Sequence, residues 1–183
     1  MKFTLMPIKG AFVIELEPIE DARGFFARTY CEREFINHGL QARFVQSSVS
    51  VTRKRGMLRG MHLQASPHAE AKLIRCTSGR VFDVTLDLRP SSASFTKWHA
   101  VELDATRRNA VYIPEGCAHG FQALTDDCEL HYSMSVGHAP DASRGVRWDD
   151  EAFRIRWPIG NPILSPADLA WPRFERGTWT TVS

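Results

Sequence analysis

The sequence predicts a mainly β protein, a sandwich or barrel of short strands with a few short helices at its periphery. Short β-prone runs recur along most of the chain, separated by Gly, Pro, Ser and Asp turn residues. Val81 to Leu88 alternates strictly between apolar and polar or smaller residues, the period of a strand. Helical periodicity is scarce, and many short strands with few helices indicate a closed or two-layered all-β architecture.

In chain order, Phe12-Val13-Ile14-Glu15-Leu16 reads as a strand ended by Pro18, and Asp21-Ala22-Arg23-Gly24 as a turn. Tyr30 to His38 suits a short helix stopped by Gly39. Strands are then expected over Phe44 to Thr52, Met57 to Gln64, Ala71 to Thr77, Val81 to Leu88, Lys97 to Leu103, Ala110 to Ile113, Gly120 to Leu124 and Cys128 to Val136. Pro158, Pro162 and Pro166 break the tail, where Ser165-Pro166-Ala167-Asp168 resembles a capped first helical turn. No repeat of fixed period occurs, which excludes solenoids and propellers.

The 183 residues are the size of one domain, and a single domain over 1–183 is expected. With 23 basic and 21 acidic residues the charges nearly cancel, and a pI of about 8.4 gives no argument for nucleic acid. Arg53-Lys54-Arg55, ahead of a glycine, reads as a solvated turn. Four scattered cysteines without a Cys-x-x-Cys pair fit reduced thiols in a cytoplasm. No run has the length of a membrane span or the pattern of a signal peptide, so a cytoplasmic protein with no membrane partner is expected.

Chemistry concentrates around Gly56-Met57-Leu58-Arg59-Gly60-Met61-His62-Leu63-Gln64 and the following Lys72. If this strand and the next are sheet neighbours, Arg59, His62 and Lys72 enter one cavity and converge on an anionic, carbonyl-bearing ligand. Several buried cations must pair or bind a ligand. His119 is expected in a turn at the start of a strand, and either Tyr132 or His131 faces inward, a phenol there being a potential proton donor. Asp168 is ordinarily a surface carboxylate at a helix start, but it would orient His62 and raise its basicity if the tail folded back. Arg23, Arg28 and Arg59 could clamp a diphosphate. A metal site built on His62 and His119 is disfavoured: Gln64 stands where a second histidine two residues on would be needed, and Lys72 is close by.

A set of motifs in fixed order carries a family resemblance. They are Asp21-x-Arg23-Gly24-x-Phe26, Gly56-x-Leu58-Arg59-Gly60-x-His62-x-Gln64, Lys72, Asp83-Val84-x-x-Asp87-Leu88-Arg89, Ile113-Pro114-x-Gly116-x-Ala118-His119-Gly120-Phe121, Gly145-x-x-Trp148-x-Asp150 and Ile163-Leu164-Ser165-x-x-Asp168. Together they resemble the dTDP-4-dehydrorhamnose 3,5-epimerase family. The resemblance implies a cupin-type jelly-roll barrel that needs no cofactor or metal, and a homodimer in which each N-terminal part completes its neighbour. It implies His62 as a base supported by Asp168, Lys72 stabilising an enolate oxygen, and Tyr132 returning a proton from the opposite face. Arg23, Phe26, Gln46, Ser48, Arg59, His119 and His138 are the implied substrate-binding residues.

Four positions depart from the family pattern. His138 stands where a tyrosine is common, Ser143 and Arg28 where glutamates are, and Ser48 where asparagine is usual. The implied activity is inversion at C3, C5 or both of a nucleotide-linked 4-keto-6-deoxy sugar. The rivals are a nucleotide-sugar-binding barrel without turnover and, further off, a metal-dependent cupin enzyme.

Overall fold

The computed structural model describes residues 1–179; residues 180–183 of the expected domain lie outside the described residues. Two antiparallel sheets face each other in a jelly roll. The first runs in the order β1 (Lys2–Leu5), β2 (Phe12–Glu15), β10 (Ala110–Ile113), β7 (Lys72–Ser78), β12 (Cys128–Met134), β5 (Gln46–Thr52). The second runs β13 (Ser143–Gly145), β6 (Leu58–Gln64), β11 (Cys117–Ala123), β8 (Arg80–Asp87), β9 (Trp98–Asp104). A separate hairpin, β3 (Ile19–Asp21) and β4 (Gly24–Phe26), occupies the stretch read from sequence as a turn.

Alternation along the strands builds three apolar layers. Inward residues of the first sheet, such as Ile74, Cys76 and Leu130, meet Val81, Leu103 and Phe121 of the second. Outward residues of the second sheet, Met61, Val84, Leu86 and Leu88, are covered by Val146, Phe153 and Trp157 from the C-terminal segment. The outer face of the first sheet, including Ile14, Leu73 and Tyr112, is covered by Phe35 and Leu40. Phe35 belongs to α1 (Glu32–Asn37), which is shorter than the Tyr30 to His38 helix expected. Cys31 is extended and serves as its N-cap, while Tyr30 is turned away to bond the Ala42 carbonyl. Gly39, at φ +70°, ends it in the left-handed conformation glycine favours.

Two expectations need correction. β6 and β7 are not sheet neighbours; they lie in opposite sheets and face each other across the interior. His119 is not in a turn, because β11 begins at Cys117 and holds the histidine within the strand.

The pairing of β6 with β11 contains a bulge: His119 opposes His62 and Phe121 opposes Arg59, so two steps on β11 match three on β6. A regular strand would send Arg59 and His62 to opposite faces; the extra residue reverses the alternation and turns both toward the interior. Gly60 has φ +131°, and a Cβ there would stand 2.5 Å from the Gly120 Cα. The strands approach this closely only because both residues are glycine. Gly60→Ala should therefore cost about 2–3 kcal/mol of stability in urea unfolding; a loss below about 0.5 kcal/mol would contradict this reading of the bulge.

Candidate active site

The inward faces of the two sheets enclose a cavity of about 530 Å³. Its walls come from both sheets: Arg59 and His62 on β6 and His119 on β11 face Lys72 on β7 and Tyr132 on β12. Gln46, Ser48, His138 and Ser143 form a polar part of the lining.

His62 Nε2 lies 2.5 Å from Asp168 Oδ1. The carboxylate arrives on α2 (Pro166–Leu169), where Ser165 caps the helix by accepting from the Asp168 amide and donating its hydroxyl to Asp168 Oδ2. Asp168 is buried, unlike the ordinary helix-start aspartate. Burial works against its ionisation, but hydrogen bonds from His62, Ser165 and the Gly60 amide outweigh it and hold the carboxyl below the usual aspartate range. A carboxylate accepting at Nε2 leaves the lone pair of a neutral imidazole on Nδ1, where no group of the described residues bonds it. The His62 side chain is 42% exposed and lines the cavity, so the ring is open to a ligand and to water.

Across the cavity, strand alternation puts Tyr132 inward with Leu130 and Met134, and His131 outward. Burial, with the nearby Asp83 charge and against the pull of Arg59, pushes the Tyr132 phenol well above its ordinary range, so it is held protonated. Its hydroxyl has no hydrogen-bond partner among the described residues. The His119 ring meets it edge-on at 5.9 Å and is anchored through Nε2 to Asp83 Oδ2 at 2.7 Å. Lys72 is bonded to the Glu70 carboxylate, and both side chains are largely buried.

Arg59 sits at the cavity mouth, bonded to the Thr52 hydroxyl at 3.2 Å and the Val51 carbonyl at 3.0 Å on β5. Within one chain the three arginines do not converge. Arg23 pairs with Asp21 on the exposed hairpin and Arg28 with Glu34 on the surface. Phe26 is likewise 75% exposed and away from the cavity. Gln64 is committed to structure: its amide donates to the His68 and Gly137 carbonyls and accepts from the Ala139 amide. The two cavity histidines are tied to separate carboxylates, and among the described residues no three His, Cys, Asp or Glu side chains are grouped to hold a metal ion.

Sequence reasoning assigned no role to Glu70, Asp83 or Trp171. Asp83 was legible from the alternation of β8, and Glu70 from its two-residue spacing to Lys72. Trp171, whose ring lies 5.8 Å from that of His62, carries no local signal.

What the arrangement can do is move protons: a base on one wall, and a protonated phenol and an ammonium on the other. The model of the family described as dTDP-4-dehydrorhamnose 3,5-epimerase matches residues 5–176. The dTDP-4-dehydrorhamnose 3,5-epimerase of Shigella flexneri is 39% identical over 168 residues, covering 91% of this chain and 92% of that protein. The crystal structure of dTDP-4-dehydrorhamnose 3,5-epimerase from Elizabethkingia anophelis superposes with a TM-score of 0.92 at 38% identity, covering 95% of this chain and 96% of the other. The dTDP-6-deoxy-D-glucose-3,5-epimerase of Legionella pneumophila, solved in complex with dTDP-4-keto-L-rhamnose, gives 0.87 at 33% identity, covering 94% and 92%. With its jelly roll, its cavity and these likenesses, the chain belongs to the dTDP-4-dehydrorhamnose 3,5-epimerase family of isomerases.

Proposed function

We propose that the protein inverts C3, C5 or both of a nucleoside-diphosphate-linked 4-keto-6-deoxy sugar, with His62 as base and Tyr132 as acid. The observation that carries this reading is the His62–Asp168 pair facing Tyr132 and Lys72 from the opposite sheet of one cavity. A ketone acidifies the C–H bonds beside it, so proton removal needs a base and a way to stabilise the enolate, with no net redox change. His62 Nδ1 takes the proton. Lys72 stabilises the charge that develops on the 4-oxygen, a contribution on the order of several kcal/mol in a site of low polarity. Inversion requires return of a proton on the other face, and a phenol kept protonated by its surroundings is suited to that step. Arg59 and His119 hold the diphosphate or sugar, and Gln46, Ser48 and His138 line the remainder of the substrate site.

The same reading makes the working unit a homodimer in the cytoplasm. The β3–β4 hairpin presents Ile19 at 73% and Phe26 at 75% exposure together with Arg23, an apolar and cationic element left open to a partner. A second copy brings Arg23 and Phe26 to its neighbour's cavity. All four cysteines are free thiols, as suits a reducing compartment.

Incubating 4-keto nucleotide sugars in deuterated water and following C3 and C5 by NMR tests the reaction. Label should enter at one or both carbons; none across dTDP-, UDP-, CDP- and GDP-linked sugars would make the protein a binder. His62→Asn should lower exchange at every carbon at least about 10³-fold, whereas Tyr132→Phe should retain wash-in of label while blocking net inversion. Equal loss of both in the two variants would mean misassigned roles. Sedimentation should give a mass near twice the 20.7 kDa chain, and a monomer that turns over substrate would refute the shared site.

Acid unfolding probes the carboxylate. A group whose folded-state value is depressed stabilises the fold above its ordinary value and loses that contribution as the pH falls through the folded one. The stability difference between the native protein and Asp168→Asn should therefore shrink as the pH drops below 3.8; a difference that widens on acidification would contradict the pairing.

A further inference from the structure

Glu70 enters the cavity wall from the turn leading into β7, two residues ahead of Lys72, and its carboxylate accepts a hydrogen bond from the Lys72 ammonium. The two side chains are 9% and 12% exposed, so little water competes for the contact. Residues two apart in an extended chain point the same way, and the intervening Ala71 is buried with its amide held by the Ser135 hydroxyl. The turn is fixed from its other end by the Gln64 amide bonded to the His68 carbonyl. Glu70 therefore stands on immobilised backbone, while Lys72 reaches the cavity on a flexible stem with three rotatable donors.

We propose that Glu70 is a positioning residue for the epimerisation, tethering the Lys72 ammonium so that its remaining N–H donors point at the substrate's 4-keto oxygen. This rests on the role given to Lys72 above. The tether works through geometry and against electrostatics. A second negative charge beside a developing oxyanion raises its energy, so the charge of Glu70 opposes the reaction while its acceptor atoms serve it. The two contributions have opposite signs, and substitutions separate them.

Glu70→Gln keeps an acceptor and removes the charge; Glu70→Ala removes both; Glu70→Asp keeps the charge and retracts the acceptor by one methylene. Steady-state kinetics are measured on the 4-keto nucleotide sugar that the native protein turns over, with urea unfolding in parallel. Glu70→Ala and Glu70→Asp should lower kcat about tenfold or more with KM within about threefold, the signature of a misplaced catalytic group. Glu70→Gln should stay within about threefold of the native kcat. In a Lys72→Ala background, adding Glu70→Ala should change kcat less than about twofold, since the tether then holds nothing.

A native-like kcat in Glu70→Asp and Glu70→Ala, an equal loss in Glu70→Gln and Glu70→Ala, or an undiminished effect of Glu70→Ala without Lys72 would each overturn the tether. If Glu70→Ala does not fold, the Asp and Gln variants decide between the same outcomes. Failure of the native protein to exchange C3 or C5 hydrogens would overturn the epimerase reading along with the tether, whereas an active native protein indifferent to Glu70 overturns the tether alone.

Discussion

The hydrogen bond between His62 and Asp168 joins residues 106 positions apart, and the architecture around the cavity is arranged so that it can form. β6 pairs with β11 along one edge. Its other edge is shared: β13 pairs with it from His62 to Gln64, and Ile163 bridges to Met57 at its start. Between these two contacts the Gly60 backbone faces Asp168 and adds to what holds its carboxyl ionised. A carboxylate on a helix immediately after Ile163 is thus delivered to the stretch of that edge between these two contacts, and Ser165 fixes its rotation. The apolar cover that Val146, Phe153 and Trp157 lay over the second sheet anchors the same segment. Packing on the outside of the sheet and chemistry on the inside are therefore set by one piece of chain.

The second constraint is the bulge. Alternation alone would place Arg59 and His62 on opposite faces, and no cavity could then contain both. The close approach of Gly60 and Gly120 admits one extra residue in β6, after which the guanidinium at the mouth and the imidazole on the wall face the same space. The opposite wall needs no such device. Lys72 with Ile74 and Cys76, and Tyr132 with Leu130, follow the regular period, so ammonium and phenol face the cavity from adjacent strands, Tyr132 opposite Ile74 and Lys72 opposite Met134, at the margin of the apolar core.

Much of this was legible in the sequence, for physical reasons that differ by residue. Strand positions from β5 to β12 followed from β-propensity and punctuation, and the motifs of the cavity came from their order. The short helix before Gly39 was found but overextended, because nothing local reveals that Tyr30 turns to bond Ala42. β1 and the β3–β4 hairpin were missed: they are short, and tertiary pairing forms them. The partition of β6 and β7 between opposite sheets is a property of topology that periodicity cannot carry. Arg23, Arg28 and Arg59 shared a residue type without sharing a place, and Asp83, placed inward by alternation, finds its partner His119 only once β8 pairs with β11.

On the proposed chemistry, the two walls of one cavity address opposite faces of a single sugar ring. A crystal structure with a bound nucleotide 4-keto sugar, or a reduced analogue of it, measures this directly. His62 Nδ1 should stand roughly 3–3.5 Å from C3 or C5 on one face, with the Tyr132 hydroxyl on the other face and the Lys72 ammonium at the 4-oxygen. A sugar bound with His62 and Tyr132 on the same face, or with its ring outside the space between the two sheets, would contradict it.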